Sequence, residues 1–92
     1  MRQTEAEAPS GETLLDLKGL NCPMPVLRLA KAIRGAAPGT RFRVLATDPL
    51  AALDIAHFCQ TKGHTLISSE DDDGVGSYVV AAGTGSPEIN SL

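Results

Sequence analysis

Hydrophobic and polar residues alternate over residues 13–18 and again over residues 41–46. Such alternation is typical of a strand with one buried face, because successive side chains along a strand point to opposite sides. The apolar sides of the two segments carry Leu15, Leu17, Phe42, Val44 and Ala46. We therefore predict two half-buried strands with those side chains facing a core.

A period of 3.6 residues predicts an amphipathic helix after the first strand. Pro23 suits its first turn, because a proline at the start of a helix needs no N–H partner and its φ is already helical. The helix is expected to end near Arg34, before Gly35, and Cys22 is expected at or next to the N-cap. Its apolar stripe is formed by Val26, Leu29, Ala30 and Ile33.

A second helix is predicted over residues 49–62. Asp48 is a favourable N-cap, Pro49 a favourable first helical residue, and Gly63 a suitable left-handed C-cap. At about 100° per residue, the core face consists of Ala52, Ile55, Ala56 and Cys59.

Residues 65–69 and 77–82 are prone to form strands, and the polar, glycine-bearing residues 70–76 between them predict a hairpin. The expected element order is βαβαββ. Strand–helix–strand units cross over with a right hand, so both helices are expected on one face of the sheet. The predicted fold class is α+β: a two-layer α/β sandwich, with a four-stranded mixed sheet and two helices on one face.

The composition fits one small domain with polar ends. The chain has 92 residues, 42% hydrophobic and 21% charged, as in an ordinary globular protein. Residues 1–12 and 84–92 are rich in small and polar residues without periodicity. We therefore predict flexible tails at both ends of a domain that covers residues 13–83.

Charge and cysteine content narrow the class of protein. With 8 Lys and Arg against 11 Asp and Glu, the net charge is −3, which argues against coating nucleic acid by bulk electrostatics. No apolar run approaches the roughly 18 residues of a membrane helix, and the first residues do not resemble a signal peptide. Two cysteines are too few for a disulfide scaffold, so we expect a cytoplasmic protein whose thiols do chemistry.

Cys22 is the strongest candidate for that chemistry. The alternative is that Cys22 is only a small residue that caps the helix. A thiol at a helix N-terminus faces unpaired N–H groups and about half a positive charge, which predicts a lowered pKa and a nucleophilic thiolate. Pro23 and Pro25 stiffen the turn, and Lys18 is placed to add positive charge nearby.

The other chemically active residue types are expected to be structural. Cys59 lies in an apolar stripe, where a free cysteine behaves as a small hydrophobic residue, with a resolving thiol as the alternative. His57 and His64 lack metal-ligand spacing with either cysteine and are expected on the solvated surface. The acidic run at residues 71–73 does not fit a calcium loop. We therefore expect no metal site and no cofactor.

Both helices carry outward residues suited to docking a partner. On the first helix they form a basic stripe that leads away from Cys22, and on the second they include two leucines on a polar face. The predicted docking residues are Lys18, Met24, Leu27, Arg28, Lys31, Leu50 and Leu53.

A Cys-Pro-x-Pro motif follows the first predicted strand, in the segment Gly19-Leu20-Asn21-Cys22-Pro23-Met24-Pro25. Further along the chain come Asp48-Pro49, Asp54-Ile55 and Phe58-Cys59. In this order the motifs resemble the TusA (SirA, YedF) family of sulfur carriers, over residues 14–82. The resemblance implies a persulfide on Cys22, supported by its neighbours Asn21, Pro23, Met24 and Pro25.

The resemblance also implies partners. A cysteine desulfurase or a rhodanese is the expected sulfur donor, and an acceptor protein in tRNA thiolation or molybdenum cofactor assembly is the expected recipient. Direct contact with nucleic acid or membrane is not expected, and the protein is expected to be a monomer. The tRNA-thiolation members carry an arginine at the position of Leu53 and an acidic residue at that of Met24, which leaves the recipient open.

Two other functions remain open on the sequence alone. One is a thiol-based redox or regulatory protein that uses Cys22, which an oxygen adduct rather than a sulfur adduct on that residue would indicate. The other is a binding module for RNA or an acidic protein, whose function would survive the loss of Cys22. Its basic face would consist of Arg28, Lys31, Arg34, Arg41 and Arg43.

Overall fold

The computed structural model describes residues 12–83, and the tails predicted at residues 1–12 and 84–92 lie outside them except for Glu12. The predicted order of two helices and four strands is confirmed. In chain order the elements are β1 (Thr13–Asp16), α1 (Met24–Arg34), β2 (Arg41–Ala46), α2 (Ala51–Lys62), β3 (Thr65–Asp72) and β4 (Val75–Ala81). Within the described residues, no helix is long and apolar enough to cross a membrane.

The four strands form one mixed sheet in the order β1-β2-β4-β3. β1 pairs parallel with β2, whereas β4 pairs antiparallel with β2 on one side and with β3 on the other. Because β1 and β2 run in the same direction, the chain leaves both of them at the same edge of the sheet. The segments at residues 17–23 and 47–50 are therefore neighbours, and they carry the candidate site.

Both helices pack on one face of this sheet, as predicted. The alternating residues of β2 and the helical stripes meet in a single core, which contains Leu17, Leu29, Ile33, Phe42, Val44, Ala46, Ala51, Ile55, Cys59, Tyr78, Val80 and Ala82. One prediction about α2 is wrong, because Ala51 is buried and Ala52 is exposed. Positions 51, 55 and 59 are about one turn apart, so the inward stripe is rotated slightly from the predicted one.

The hairpin is longer than predicted. β3 runs to Asp72 and β4 starts at Val75, so Asp73 and Gly74 alone connect them, in place of a loop over residues 70–76. These two residues have φ values of 54° and 87°. Positive φ at both central positions is the geometry of a type I′ turn, whose twist matches the twist of the flanking strands.

α2 begins at Ala51, two residues after its predicted start at Pro49. The Asp48 side chain accepts a hydrogen bond from the Leu50 N–H at 2.7 Å, which closes a turn ahead of the helix rather than capping it. At the other end Gly63 has φ of 81° and forms the predicted left-handed C-cap. The turn at Asp48 matters because the same carboxylate also reaches the candidate site.

Candidate functional site

Cys22 lies in the turn between β1 and α1, directly before the N-cap residue Pro23. Its side chain is exposed. The turn is attached to the segment after β2, because the Gly19 N–H donates a hydrogen bond to Thr47 Oγ1 at 2.9 Å. Gly19 adopts φ of 87° to make this bend, a conformation that glycine takes without steric cost.

The backbone at Cys22 is held by the Asp48 carboxylate. The Cys22 N–H donates to Oδ2 at 2.8 Å, while the Leu50 N–H donates to Oδ1 at 2.7 Å. One side chain thus joins the turn before α1 to the turn before α2. Since hydrogen bonds to charged acceptors are among the stronger ones in proteins, this anchor fixes the position of Cys22 relative to the second helix.

The thiol of Cys22 donates a hydrogen bond to Asp54, with 2.6 Å between Sγ and Oδ2. Asp54 lies in the first turn of α2 and is half-buried. A carboxylate is favourable there, because it complements the positive end of the helix dipole. The site therefore contains an exposed thiol and two carboxylates, from Asp48 and Asp54.

These acidic neighbours raise the pKa of Cys22. The largest cause is the hydrogen bond to Asp54, followed by desolvation and then by the negative charges of Asp54 and Asp48. Each of these favours the neutral thiol over the thiolate. The sequence predicted that the helix N-terminus lowers the pKa of Cys22, and that prediction is therefore wrong.

The first turn of α1 explains why the helix end does not activate the thiol as expected. Pro23 and Pro25 have no N–H, and the Met24 N–H donates to the Asn21 carbonyl oxygen at 2.7 Å. The motif that marks the helix start thus also removes two of the backbone donors that would stabilise an anion, and a third is already engaged. The side chains that contact Cys22 directly are acidic.

Cys22 also lines a groove of about 290 Å³ between the two helices. The other lining residues are Pro23, Val26, Asp54, His57, Phe58, Thr61 and Lys62. Apolar side chains from both helices line part of the groove, and α2 supplies its charged groups. A molecule that reaches the thiol through this groove thus meets a partly apolar surface.

From the sequence, Asp48 was predicted at a helix start and Asp54 was named only among the segments that resemble the family, and no contact between either residue and Cys22 was predicted. One signal was present in the sequence, because Asp48 comes two residues after the end of β2, just as the turn of Cys22 follows β1. If these strands are parallel, both turns lie at one edge of the sheet. The contact of Asp54 has no such signal, since it depends on how α2 is rotated above the sheet.

Most predicted docking residues are exposed. The exposed fractions of Leu27, Leu50 and Leu53 are 52%, 52% and 68%, high values for leucine side chains, and that of Met24 is 36%. Arg28 and Lys31 are exposed as well. Lys18 is also exposed, and its ammonium lies 3.8 Å from the carboxylate of Asp16.

Cys59 occupies the opposite environment. It is 3% exposed and packs in the core, where burial raises the pKa of its thiol to about 11. A thiol with that pKa is protonated at neutral pH and is shielded from reagents. Its position is that of the small hydrophobic residue expected from the sequence.

The predicted solvated surface position is confirmed for His57 and wrong for His64. His57 is exposed, but His64 is half-buried, accepts the Gly83 N–H at Nδ1 at 2.8 Å and lies against Phe58 with 5.2 Å between ring centroids. Burial lowers the pKa of His64. Among residues 12–83, no group of three or more His, Cys, Asp or Glu side chains is arranged to hold a metal ion.

Comparison with known proteins decides the family. A family profile described as sulfurtransferase TusA matches residues 13–81, a span that runs from the start of β1 to the end of β4. The chain belongs to the TusA family. The family predicted from the Cys-Pro-x-Pro motif and its surroundings is thus confirmed, and the matched span includes Cys22, Asp48 and Asp54.

Curated relatives and a solved structure agree with TusA membership. A sulfur carrier protein TusA of Pseudomonas aeruginosa (strain LESB58) is 42% identical over 69 residues, 75% of this chain and 87% of the relative. One from Pseudomonas putida (strain GB-1) is 42% identical over 67 residues, 73% of this chain and 84% of the relative. The crystal structure of a SirA-like protein from Desulfitobacterium hafniense superposes with a TM-score of 0.68 at 26% identity, covering 77% of this chain and 97% of that one.

Proposed function

We propose that this TusA family member is a sulfur carrier that accepts sulfane sulfur as a persulfide on Cys22 and passes it to an acceptor protein. The observation that carries this proposal is the contrast in access between the two thiols. Cys22 is exposed in an anchored turn, whereas Cys59 is buried. The matched family profile spans residues 13–81, which contain this turn, and relatives named as sulfur carrier proteins are 42% identical over 69 residues.

The chemistry is an exchange between sulfur atoms. The Cys22 thiolate attacks the outer sulfur of a donor persulfide, so that a bond forms between that sulfur and Sγ while the donor S–S bond breaks. The inner sulfur of the donor leaves as a thiolate and takes up the proton that Cys22 gave up. An acceptor thiolate then attacks the outer sulfur on Cys22 in the same way. No external oxidant or reductant is consumed in either step.

The turn before α1 is suited to hold the reacting sulfur in place. The Asn21 carbonyl accepts the Met24 N–H, and Pro25 is fully buried in the first turn of the helix. Together with Pro23 these residues support the persulfide by keeping the backbone rigid, so that little ordering is needed when a partner docks.

A transfer step requires two sulfur atoms in contact, so a partner must cover the surface around Cys22. We propose that the partner is a cysteine desulfurase or a rhodanese on the donor side and a second protein on the acceptor side. The docking surface consists of Lys18, Met24, Leu27, Arg28, Lys31, Leu50 and Leu53. Its basic part on α1 contrasts with the net charge of −3 and would attract an acidic rim on the partner. The proposed carrier works as a cytoplasmic monomer that does not itself bind nucleic acid.

The test is to load the full chain with glutathione persulfide and to measure the mass of each cysteine-containing peptide. We expect the Cys22 peptide to gain about 32 Da, the mass of one sulfur atom, and to lose it again when a thiol reductant is added. Cys22→Ser should abolish loading, and Cys59→Ala should load as the wild type does. An oxygen adduct on Cys22 with no sulfur adduct would instead support the redox protein and contradict the carrier.

A further inference from the structure

Asp54 occupies a position that the exchange of sulfur alone does not require. Its Oδ2 lies 2.6 Å from Cys22 Sγ, the only side-chain hydrogen bond to that thiol within residues 12–83. Asp48, the other nearby carboxylate, is engaged with the backbone N–H groups of Cys22 and Leu50. The reacting sulfur atom therefore contacts one carboxylate directly. That carboxylate belongs to α2, whereas Cys22 lies in the turn before α1.

We propose that the Asp54 carboxylate favours the empty state of Cys22 over the loaded state, and so promotes the release of sulfur to the acceptor. This inference rests on the proposed carrier function. It concerns the equilibrium between the two states of Cys22, which the carrier function by itself leaves open.

The empty state is stabilised by the hydrogen bond. A free thiol has one S–H group, which here donates its hydrogen bond to a carboxylate. Because the acceptor is charged, the hydrogen bond is charge-assisted. Asp54 is half-buried, so water competes less for its oxygen than it would at a fully exposed position. The raised pKa of Cys22 has the same origin, because the interaction exists only while the thiol keeps its proton.

The loaded state loses this bond. In a persulfide Sγ is bonded to carbon and to the outer sulfur and has no proton to donate. The outer sulfur is anionic near neutral pH, and it is attached to an atom that lies within hydrogen-bond distance of a carboxylate. Loading thus replaces an attraction by a repulsion between like charges.

The other charge that acts on Cys22 is a second carboxylate and not a cation. Asp48 adds a second negative charge from the turn before α2. From α2 itself, His57 and Lys62 line the groove together with Asp54, while the groove residues of α1 and its N-cap are the uncharged Val26 and Pro23. Among the described residues, Asp54 alone is hydrogen-bonded to Sγ.

The consequence is a carrier that holds sulfur weakly. In the exchange, a Cys22 thiol and a donor persulfide anion become a Cys22 persulfide anion and a donor thiol. Asp54 shifts this balance toward the empty thiol, so a loaded carrier gives up its sulfur readily to the next thiol. Removing the carboxylate should make Cys22 retain sulfur.

The test compares the full chain with its Asp54→Asn variant at neutral pH, in a fixed ratio of glutathione persulfide to glutathione. D54N keeps the size of the side chain and removes its charge. The readout is the ratio of loaded to empty Cys22 peptide at equilibrium, measured by mass. We expect D54N to raise this ratio by about three- to tenfold, the range expected for one partly exposed charge interaction with its hydrogen bond. The pH profile of Cys22 alkylation should shift to lower pH in the same variant.

Asp72→Asn is the matched control, because it removes one exposed carboxylate at the end of β3 that does not line the groove. The loaded ratio in D72N should stay close to that of the wild type. If D54N fails to fold, Asp54→Ser removes the same charge in a smaller side chain and is expected to give the same direction.

Two outcomes would overturn the inference, and they differ. If wild type and D54N load Cys22 to the same ratio with the same pH profile, Asp54 does not set the balance, although the carrier function stands. If no variant, including the wild type, gains sulfur on Cys22, the carrier function fails, and the inference fails with it.

Discussion

Cys22 and Cys59 have the same side chain in two contrasting environments. Cys22 is exposed in a turn at the sheet edge and donates a hydrogen bond to Asp54, whereas Cys59 is 3% exposed among core residues. The pKa of both thiols is raised, by a carboxylate in the first case and by burial in the second. Acidity therefore does not separate the two cysteines. Access and a fixed position do, and that is what a residue needs in order to exchange sulfur with another protein.

The largest expected effect is the difference in alkylation rate between Cys22 and Cys59, which tests their contrasting environments directly. In the native protein at neutral pH, iodoacetamide should modify Cys22 faster than Cys59 by about 100-fold or more, because Cys59 reacts only after the core opens. The rates are measured from the masses of the two peptides over time. In denaturant the difference should vanish, and comparable rates in the folded state would show that the two environments are wrongly assigned.

The second test asks whether the surface next to Cys22 guides a partner. Arg28→Glu combined with Lys31→Glu should slow sulfur transfer from a protein donor by about tenfold at low ionic strength and less at high, because salt screens exposed charges. Transfer is followed as the rate of sulfur gain on the Cys22 peptide.

Arg41→Glu, at the exposed start of β2, is the control for charge reversal outside the docking surface. Alkylation of Cys22 by a small neutral reagent should be nearly unchanged in both variants. Equal transfer rates for wild type and the double variant at every ionic strength would place docking elsewhere.

Cys59→Ala sharpens the comparison from the side of the core. Deleting a buried sulfur atom leaves a small cavity, so we expect the free energy of unfolding in urea to fall by about 1 kcal/mol. Sulfur loading on Cys22 should not change. A variant that folds but no longer loads would give Cys59 a part in the transfer.

The smallest effect concerns His64, which burial perturbs as it does Cys59. Burial holds the pKa of His64 below its ordinary value of 6.5, so near that pH the native state binds fewer protons than the unfolded state. Stability should therefore be fully present above that value and decrease as pH falls through it, where protonation also competes with the hydrogen bond from Gly83.

Thermal unfolding of wild type and His64→Gln between about pH 5 and pH 8 checks this sign. H64Q should flatten part of the pH dependence, and His57→Gln, at an exposed position, should leave it as in the wild type. If the wild type instead becomes more stable as pH falls, and H64Q removes that dependence, the pKa of His64 is raised and not lowered in the folded protein.

The fold was predictable where local pattern and burial coincide. Alternation identified the buried residues Phe42, Val44 and Ala46 of β2, because a strand beside a single covering layer has one face for the core and one for solvent. The left-handed C-cap at Gly63 was also predictable, because such a cap depends on neighbouring residues alone.

The candidate site was predictable only in part. The place of Cys22 followed from the motif and the strand before it, but its chemical environment did not. Asp48 and Asp54 lie 26 and 32 residues further along the chain, and they reach Cys22 through strand pairing and helix packing. The sequence also suggested an activating helix end at a place where Pro23 and Pro25 lack two of the N–H donors.

A pulse–chase of sulfur tests the central claim, that Cys22 carries sulfur and releases it, most directly. The full chain is loaded with glutathione persulfide, separated from the reagent and then mixed with an excess of a different thiol, and the masses of both cysteine peptides are followed. The account predicts that the gain of about 32 Da appears on Cys22 alone and disappears in the chase, with the sulfur recovered on the added thiol. Sulfur on Cys59, or an adduct on Cys22 that no thiol removes, would contradict it.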